Sequence, residues 1–258
     1  MPRYRSFADE VAEDRRRMLI ELRRPLQTTQ RAFTALTPTQ QLEAVKLVPH
    51  GTTIGAFLVA DAKAVVTFSD GRVSLGPRIA SEDYRKVLTL DSHTIMLIAG
   101  SPVMAQRMAL MMRTYIRAYQ DTRMGKPMST NAKRTRLAQE LLGTFGLSAS
   151  GLILAPILAT YDLAKGCARI FAYSPEGSFS ERRDARGASK GYATNGSGEG
   201  IFKTIKERRR PDMSVDEGIA LAHFLIKDAA EDDSASGGRT FVTVIDSDGI
   251  RATDGGGQ

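Results

Sequence analysis

Residues 48–68, VPHGTTIGAFLVADAKAVVTF, mark the point at which the sequence changes from helical to β periodicity. Segments 53–59 and 64–68 are rich in apolar and β-branched residues and flank a short turn at 60–63, which predicts a hairpin of two largely buried strands. Gly51, Thr52 and Thr53 stand just before the first strand. As a local pattern they indicate a loop that ends in a strand, because glycine favours turns and threonine favours extended backbone.

The order of elements after this hairpin predicts the fold class. Ser101-Pro102 opens a long helix that carries a methionine stripe, and such a stripe is typical of core or subunit packing. The further predicted strands are 86–90, 93–100, 152–160, 168–173, 177–182, 240–245 and 250–252, and the further helices are 130–144, 199–210 and 214–230. Four strands, two helices, three strands, two helices and final strands predict one α+β domain, a four-layer αββα sandwich in which two antiparallel sheets lie between helix pairs.

Residues 1–51 differ from the rest because they show no strand pattern. Ser6 and Asp9 are placed to begin a helix that ends at Pro25, and Thr37-Pro38 is placed to begin a second one. The first residues are too charged for the apolar centre of a secretory signal. We therefore expect a separate leader on a cytoplasmic protein.

Composition narrows the classes of partner. The chain has 258 residues, 42% of them hydrophobic, and its longest nearly apolar run, 151–160, is far shorter than the ~20 residues of a membrane span. The net charge of +7 suggests nucleic acid, but the arginine clusters lie beside acids and without interleaved aromatic residues, as on solvated or subunit-facing helices. The single Cys167 excludes an internal disulfide framework, and no histidine has a second ligand at metal-binding spacing.

Five segments carry a resemblance to a known family: GTTIGAF, SDGRVSLGPRIAS, LIAG, NGSG and AAEDDSASGG. With them, residues 52–258 resemble the β subunits of the 20S proteasome of the bacterial, actinobacterial-like type, which are N-terminal nucleophile hydrolases. The spacing of Asp70, Arg72, Lys86 and Gly100 is the strongest part of the likeness. The resemblance implies a threonine endopeptidase that hydrolyses unfolded polypeptides.

The same resemblance implies that residues 1–51 are a propeptide and residues 52–258 the hydrolase domain. Autocatalytic cleavage of the Gly51–Thr52 bond would release Thr52 as the nucleophile. A threonine hydroxyl needs a base, and a free α-amine with a reference pKa of ~7.7 to 8.0 suits that task near neutral pH. The amine cannot act while it is held in a peptide bond.

Other residues receive roles from the resemblance. Lys86, paired with Asp70, would lower the pKa of the nucleophile, and the backbone N–H of Gly100 would bind the oxyanion. The supporting network would be Ser197, Asp233 and Ser236. Taken singly, such residues are more often a structural salt bridge or loop positions.

The resemblance also implies a substrate-binding wall, and its mostly apolar residues favour a hydrophobic side chain before the scissile bond. The wall residues are Val73, Ser74, Tyr84, Leu88, Ile98 and Pro102.

Two departures from the family pattern stand out. The interval from Thr52 to Asp70 is longer than usual, which we assign to the turn at 60–63, and Gly71 stands where a basic residue is common. Extra residues within the first strand would instead misplace Thr52 and leave Thr53 as the fallback nucleophile.

The implied assembly is a stack of heptameric rings, two of β subunits between two of α subunits, served by a ring-shaped ATPase. No metal or organic cofactor, nucleic acid or membrane is expected. Three alternatives stay open: a two-ring, ATPase-paired relative, a non-catalytic ring subunit, and an amide hydrolase that acts on a small metabolite.

Overall fold

The computed structural model describes residues 49–50, 52–75, 78–146, 152–185, 188–189, 191–196 and 200–253. Within these ranges the chain forms fifteen strands and four helices. The strands are β1 Pro49–His50, β2 Thr53–Val59, β3 Ala64–Ser69, β4 Val73–Leu75, β5 Arg78–Ser81, β6 Val87–Asp91, β7 Thr94–Leu97, β8 Ile157–Asp162, β9 Cys167–Tyr173, β10 Phe179–Arg182, β11 Asp184–Ala185, β12 Ala188–Ser189, β13 Tyr192–Gly196, β14 Phe241–Asp246 and β15 Gly249–Ala252. The helices are α1 Pro102–Thr122, α2 Thr130–Thr144, α3 Ile201–Arg208 and α4 Val215–Asp232. The helices expected in the leader lie outside the described residues.

Two five-stranded antiparallel sheets form the centre of the fold. The first sheet has the order β13-β2-β3-β14-β15, and the second has the order β10-β9-β8-β7-β6. Smaller sheets are formed by β1-β4-β5 and β11-β12. The predicted hairpin is therefore the middle of the first sheet, and all seven residues of β2 are buried.

Alternate residues of β2 pack into different layers, as the two-residue period of a strand requires. Ile54, Ala56 and Leu58 pack between the two sheets, together with side chains such as Leu97 of the second sheet. Phe57 and Val59 face the other way, against α3 and α4. Because both faces are covered, the strand reads as a continuous apolar run.

Helices α1 and α2 cover the outer face of the second sheet. Met104, Met108 and Met112 are buried against the sheet, where they contact a cluster that includes Leu158 and Phe171. Ser101 caps α1 by accepting a hydrogen bond from the Met104 N–H. The prediction that the methionine stripe is packing surface is confirmed, and so is the αββα sandwich.

The sequence prediction of the strands was wrong in several places. It missed β1, which lies in the segment 1–51 where no strand was expected, and it missed β4, β5, β11, β12 and β13. These strands have only two to five residues, and three of the four residues of β5 are exposed. It also began a strand at residue 152, whereas β8 begins at Ile157. Leu154 makes only an isolated bridge to Gly100, and Pro156 has no N–H to donate to a ladder.

A buried ionic cluster joins β8, β9 and β10. Arg169 lies 2.8 Å from Asp162 and 2.7 Å from Glu181. Burial would raise the pKa of Glu181, but hydrogen bonds and charge from Arg169 and Arg183 outweigh it and lower that pKa to about 2. A carboxylate with a depressed pKa stabilises the fold above its unfolded pKa of ~4.3, and this stabilisation is lost as the pH falls toward the folded value.

Replacing Glu181 by glutamine should therefore lower the melting temperature near pH 6, and the difference from wild type should shrink as the pH falls below ~4.3. Thermal unfolding across a pH series measures this. Glu231→Gln, at an exposed position of α4, is the control and should show no such dependence. A Glu181→Gln difference that stays constant between pH 6 and pH 3 would contradict the assignment.

Candidate active site

The buried carboxylate of Asp70 lies where several elements meet. It directly follows β3 and is fully buried. Its Oδ1 accepts hydrogen bonds from the Lys86 Nζ at 2.6 Å and from the Thr53 N–H at 2.8 Å. Its Oδ2 accepts from the N–H groups of Arg72 and Gly237, at 3.3 and 3.2 Å. Four donors satisfy both oxygens, and these hydrogen bonds offset the cost of burying the side chain.

Lys86 stands just before β6, and its side chain is only 2% exposed. Burial lowers the pKa of Lys86 below its ordinary value, while the charge and hydrogen bond of Asp70 oppose that effect. A lysine with a lowered pKa exchanges its proton more easily near neutral pH than a solvated lysine does. The pair can therefore present a positive charge to a neighbouring group or take part in proton transfer.

A second polar chain connects the loop after α4 with the start of β2. Ser236 donates its hydroxyl proton to Asp233 over 2.8 Å, and its oxygen lies 2.5 Å from the Thr53 hydroxyl oxygen. Because the single proton of Ser236 is used on Asp233, Thr53 must be the donor in the second bond. Thr53 thus has both its N–H and its hydroxyl engaged, and it is fully buried.

Thr52 directly precedes Thr53 and lines a narrow cleft. The other residues lining the cleft are Val73, Tyr84, Lys86, Ile98, Gly100 and Pro102. Four of the expected wall residues are therefore around Thr52. The structure does not bring the other two to the cleft lining: Ser74 is buried in β4, and Leu88 packs in the core beneath α1.

Gly100 follows β7 in a backbone conformation that suits glycine, with φ of +112°. The Ala99 carbonyl accepts from Ala155, and the Ser101 N–H donates to Ile153, so the two hydrogen bonds lie on either side of Gly100. In an antiparallel bridge of this kind, the N–H of the central residue points away from the partner strand. The Gly100 peptide is thereby oriented away from segment 153–155, at the cleft that Thr52 lines.

The longer interval between Thr52 and Asp70 does not disturb the first strand. The β2–β3 ladder runs without a break from Ile54 opposite Ser69 to Val59 opposite Ala64. The turn at 60–63 contains three consecutive residues with positive φ, from 49° to 63°. All the residues between the two paired strands therefore lie in the turn at 60–63, where the sequence analysis placed the extra length.

Two expected site residues, Ser197 and Gly51, lie outside the described residues.

Arg72 also belongs to the site, although the sequence analysis used it only as part of the spaced motif and gave it no role. Its guanidinium donates to the carbonyls of Ser234 and Ser236 and contacts Glu82, so it holds the 233–237 loop beside Asp70. The signal was present, since Arg72 lies two residues after Asp70 in the motif.

The described residues contain no cluster of three His, Cys, Asp or Glu side chains arranged to hold a metal ion. None of the helices in the described part of the chain combines the length and the apolar character needed to cross a bilayer.

The αββα sandwich, with Thr52, the buried Lys86 and Gly100 at one cleft, has the fold of the N-terminal nucleophile hydrolases. The family model described as Proteasome subunit matches residues 48–245. The chain therefore belongs to the proteasome subunit family. Membership implies a peptidase of that family that assembles in rings with other proteasome subunits.

Curated relatives from three actinobacteria agree, and each is named "Proteasome subunit beta". The protein of Frankia casuarinae is 33% identical over 212 residues, which cover 79% of this chain and 74% of the relative. The protein of Streptomyces griseus is 32% identical over 219 residues, covering 81% and 74%. The protein of Gordonia bronchialis is 32% identical over 221 residues, covering 80% and 72%. This chain is a bacterial proteasome subunit of the β type.

Asp70→Asn should lower the free energy of unfolding by about 3–5 kcal/mol, because it removes the carboxylate charge that pairs with the buried Lys86. It also turns an amide group toward the N–H donors of Arg72 or Gly237. Denaturant titration measures the loss. Asp83→Asn, which removes an exposed carboxylate 3.4 Å from Arg239, is the control and should change stability by less than about 0.5 kcal/mol. Equal effects of the two substitutions would show that Asp70 does not support the fold.

Proposed function

We propose that this chain is a catalytic β subunit of the 20S proteasome, a threonine endopeptidase that hydrolyses peptide bonds in unfolded polypeptides. The observation that supports this best is the position of Thr52, which lines one cleft with Lys86 and Gly100. The three residues match the three needs of acyl transfer: a nucleophile, a charged group that activates it and an oxyanion donor.

The proposed reaction begins with the free α-amine of Thr52. The amine takes the proton of the Thr52 hydroxyl while Oγ1 attacks the substrate carbonyl carbon. The carbonyl oxygen becomes an oxyanion that accepts a hydrogen bond from the Gly100 N–H. The protonated amine then gives its proton to the leaving nitrogen as the C–N bond breaks, and an ester on Thr52 remains. Water hydrolyses the ester and restores both groups.

The Lys86–Asp70 pair tunes this chemistry. A positive charge on Lys86 disfavours protonation of the nearby Thr52 amine and favours loss of the hydroxyl proton. Asp70 lies 2.6 Å from the lysine nitrogen and holds it in place. Burial of the pair strengthens both effects, since few water molecules screen the charge.

Residues 1–51 act in this proposal as a propeptide. While the Gly51–Thr52 bond is intact, the nitrogen of Thr52 is an amide and cannot accept a proton. Cleavage of that bond by the Thr52 hydroxyl itself would turn the precursor into the enzyme, with residues 52–258 as the mature hydrolase.

The side chains around Thr52 support a preference for a hydrophobic residue on the acyl side of the scissile bond. Val73, Ile98 and Pro102 are apolar, and Tyr84 presents an aromatic ring whose hydroxyl accepts a hydrogen bond from Gln106. A charged side chain packed against these residues would lose much of its hydration, which is unfavourable.

The proposed assembly stacks two heptameric β rings between two rings of α subunits, with a ring-shaped ATPase that delivers substrates in the cytoplasm. Exposed apolar side chains on α1 support a role for that helix in subunit contacts. Val103 is 63% exposed and Leu110 is 46% exposed. The two residues are seven positions apart, so both lie on the same face of the helix.

Intact mass spectrometry of the assembled protein tests the nucleophile. The wild type should lose residues 1–51, and Thr52→Ala should keep them. Thr53→Val is the matched control, because it removes the hydroxyl that bonds Ser236 and keeps the Thr52 hydroxyl; it should still be processed. Processing of Thr52→Ala at Gly51 would overturn the mechanism, and retention of the leader in the wild type would favour a non-catalytic ring subunit.

Fluorogenic peptides that differ only in the residue before the scissile bond test the specificity. We expect kcat/KM to be highest for leucine or phenylalanine and lower for both arginine and glutamate, since a charged residue would be desolvated against the apolar part of the wall. Thr52→Ala is the control for contaminating activity. A clear preference for the acidic peptide would contradict the proposed wall.

A further inference from the structure

The side chain of Asn195 connects the two sheets beside the cleft. Asn195 lies in β13, at the edge of the first sheet, opposite Ile54 of β2. Its Nδ2 donates to the carbonyl of Ala155 at 2.9 Å, and its Oδ1 accepts from the N–H of Gly196 at 2.8 Å. Ala155 belongs to the segment before β8 in the second sheet. One amide therefore links the edge strand of the first sheet to the segment that leads into β8 of the second sheet.

At one end of this connection, Gly196 packs against Thr52. Gly196 pairs with Thr53 in the β13–β2 ladder. A Cβ atom on Gly196 would lie 1.8 Å from the Thr52 carbonyl oxygen, so the bare backbone of Gly196 is packed directly on Thr52. A shift of the Gly196 peptide would therefore displace Thr52.

The second end supports the Gly100 peptide. Ala155 donates its N–H to the carbonyl of Ala99 at 3.0 Å, and Ile153 accepts from Ser101 at 2.8 Å. These two bonds hold Gly100 on both sides. A shift of Ala155 would therefore turn or displace the Gly100 N–H.

We propose that Asn195 is a positioning residue that sets the separation between Thr52 and the Gly100 N–H. These groups lie at the ends of strands in different sheets, β2 and β7, so the ladder of neither sheet fixes their distance. Continuous hydrogen bonds lead from Gly196 through Asn195 and Ala155 to Ala99, each 2.8 to 3.0 Å long. An oxyanion donor is effective only within about 2.7–3.1 Å of the developing charge, so small errors in this separation are costly.

The chemistry of the side chain explains why asparagine occupies this position. The connection needs a donor toward Ala155 and an acceptor toward Gly196 on one short, planar group. Aspartate keeps the acceptor and places a carboxylate oxygen against the carbonyl of Ala155. Leucine removes both hydrogen bonds and adds no charge. The role rests on the proposed function of Thr52, since a separation between nucleophile and oxyanion donor matters only in an active enzyme.

The test uses the assembled, processed particle with α subunits and a peptide substrate that the wild type cleaves. Asn195→Asp and Asn195→Leu should each lower kcat by about 10²-fold while KM stays within about twofold, because the oxyanion contact is made in the transition state and not in the bound substrate. Affinity for a peptide aldehyde, whose hemiacetal oxygen occupies the oxyanion position, should fall in parallel with kcat. The Leu variant makes the result independent of the added carboxylate.

Asn131→Asp is the matched control. Asn131 is exposed at the start of α2, and its Oδ1 accepts a hydrogen bond from Arg169; the substitution should leave kcat, KM and aldehyde affinity unchanged. An active wild type whose Asn195 variants keep their kcat and aldehyde affinity would overturn the positioning role alone. A correctly assembled wild type with no peptidase activity would overturn the proposed function and this inference with it.

Discussion

The whole site depends on one buried carboxylate. Asp70 contacts the start of β2, the residue before β6 and the loop after α4, through Thr53, Lys86 and Gly237. An unpaired charge at this depth would be expensive, so each donor must keep its place for the fold to be stable. The need to satisfy Asp70 therefore fixes the geometry of the surrounding segments.

The layered fold explains why such a junction exists. Each sheet buries both faces, one against the other sheet and one against a helix pair. This packing keeps the strand ends of the two sheets near one another. Thr52 and Asp70 come from the first sheet, whereas Lys86 and Gly100 flank strands of the second. Chemistry at the cleft thus requires that the two sheets meet correctly, and the contacts of Arg72 and Asn195 act at this boundary.

The sequence allowed the prediction of features that depend on local pattern. The burial of β2, the packing of the methionine stripe and the layered fold follow from periodicity, and the grouping of Thr52, Lys86 and Gly100 was expected from family-like spacing. The edge strand β13 was missed, because its residues Tyr192–Gly196 lack a continuous apolar run and owe their pairing to β2. The sequence also placed Leu88 in the cleft wall, whereas its side chain packs in the core. Adjacent positions of one strand face opposite layers, so the side that Leu88 faces depends on tertiary packing.

The hydrogen bonds of the site bear on how a precursor of this kind would be activated. Asp70 accepts from the peptide N–H of Thr53, and Ser236 accepts from the Thr53 hydroxyl. Cleavage at Gly51–Thr52, as proposed, would leave both groups chemically unchanged, because the new amine belongs to Thr52. The hydrogen bonds of Thr53 with Asp70 and Ser236 can therefore form before the bond is broken. On the proposed mechanism, cleavage would then change the basicity of one nitrogen, and residues 1–51 would control activity through that nitrogen without a change in the contacts of Asp70.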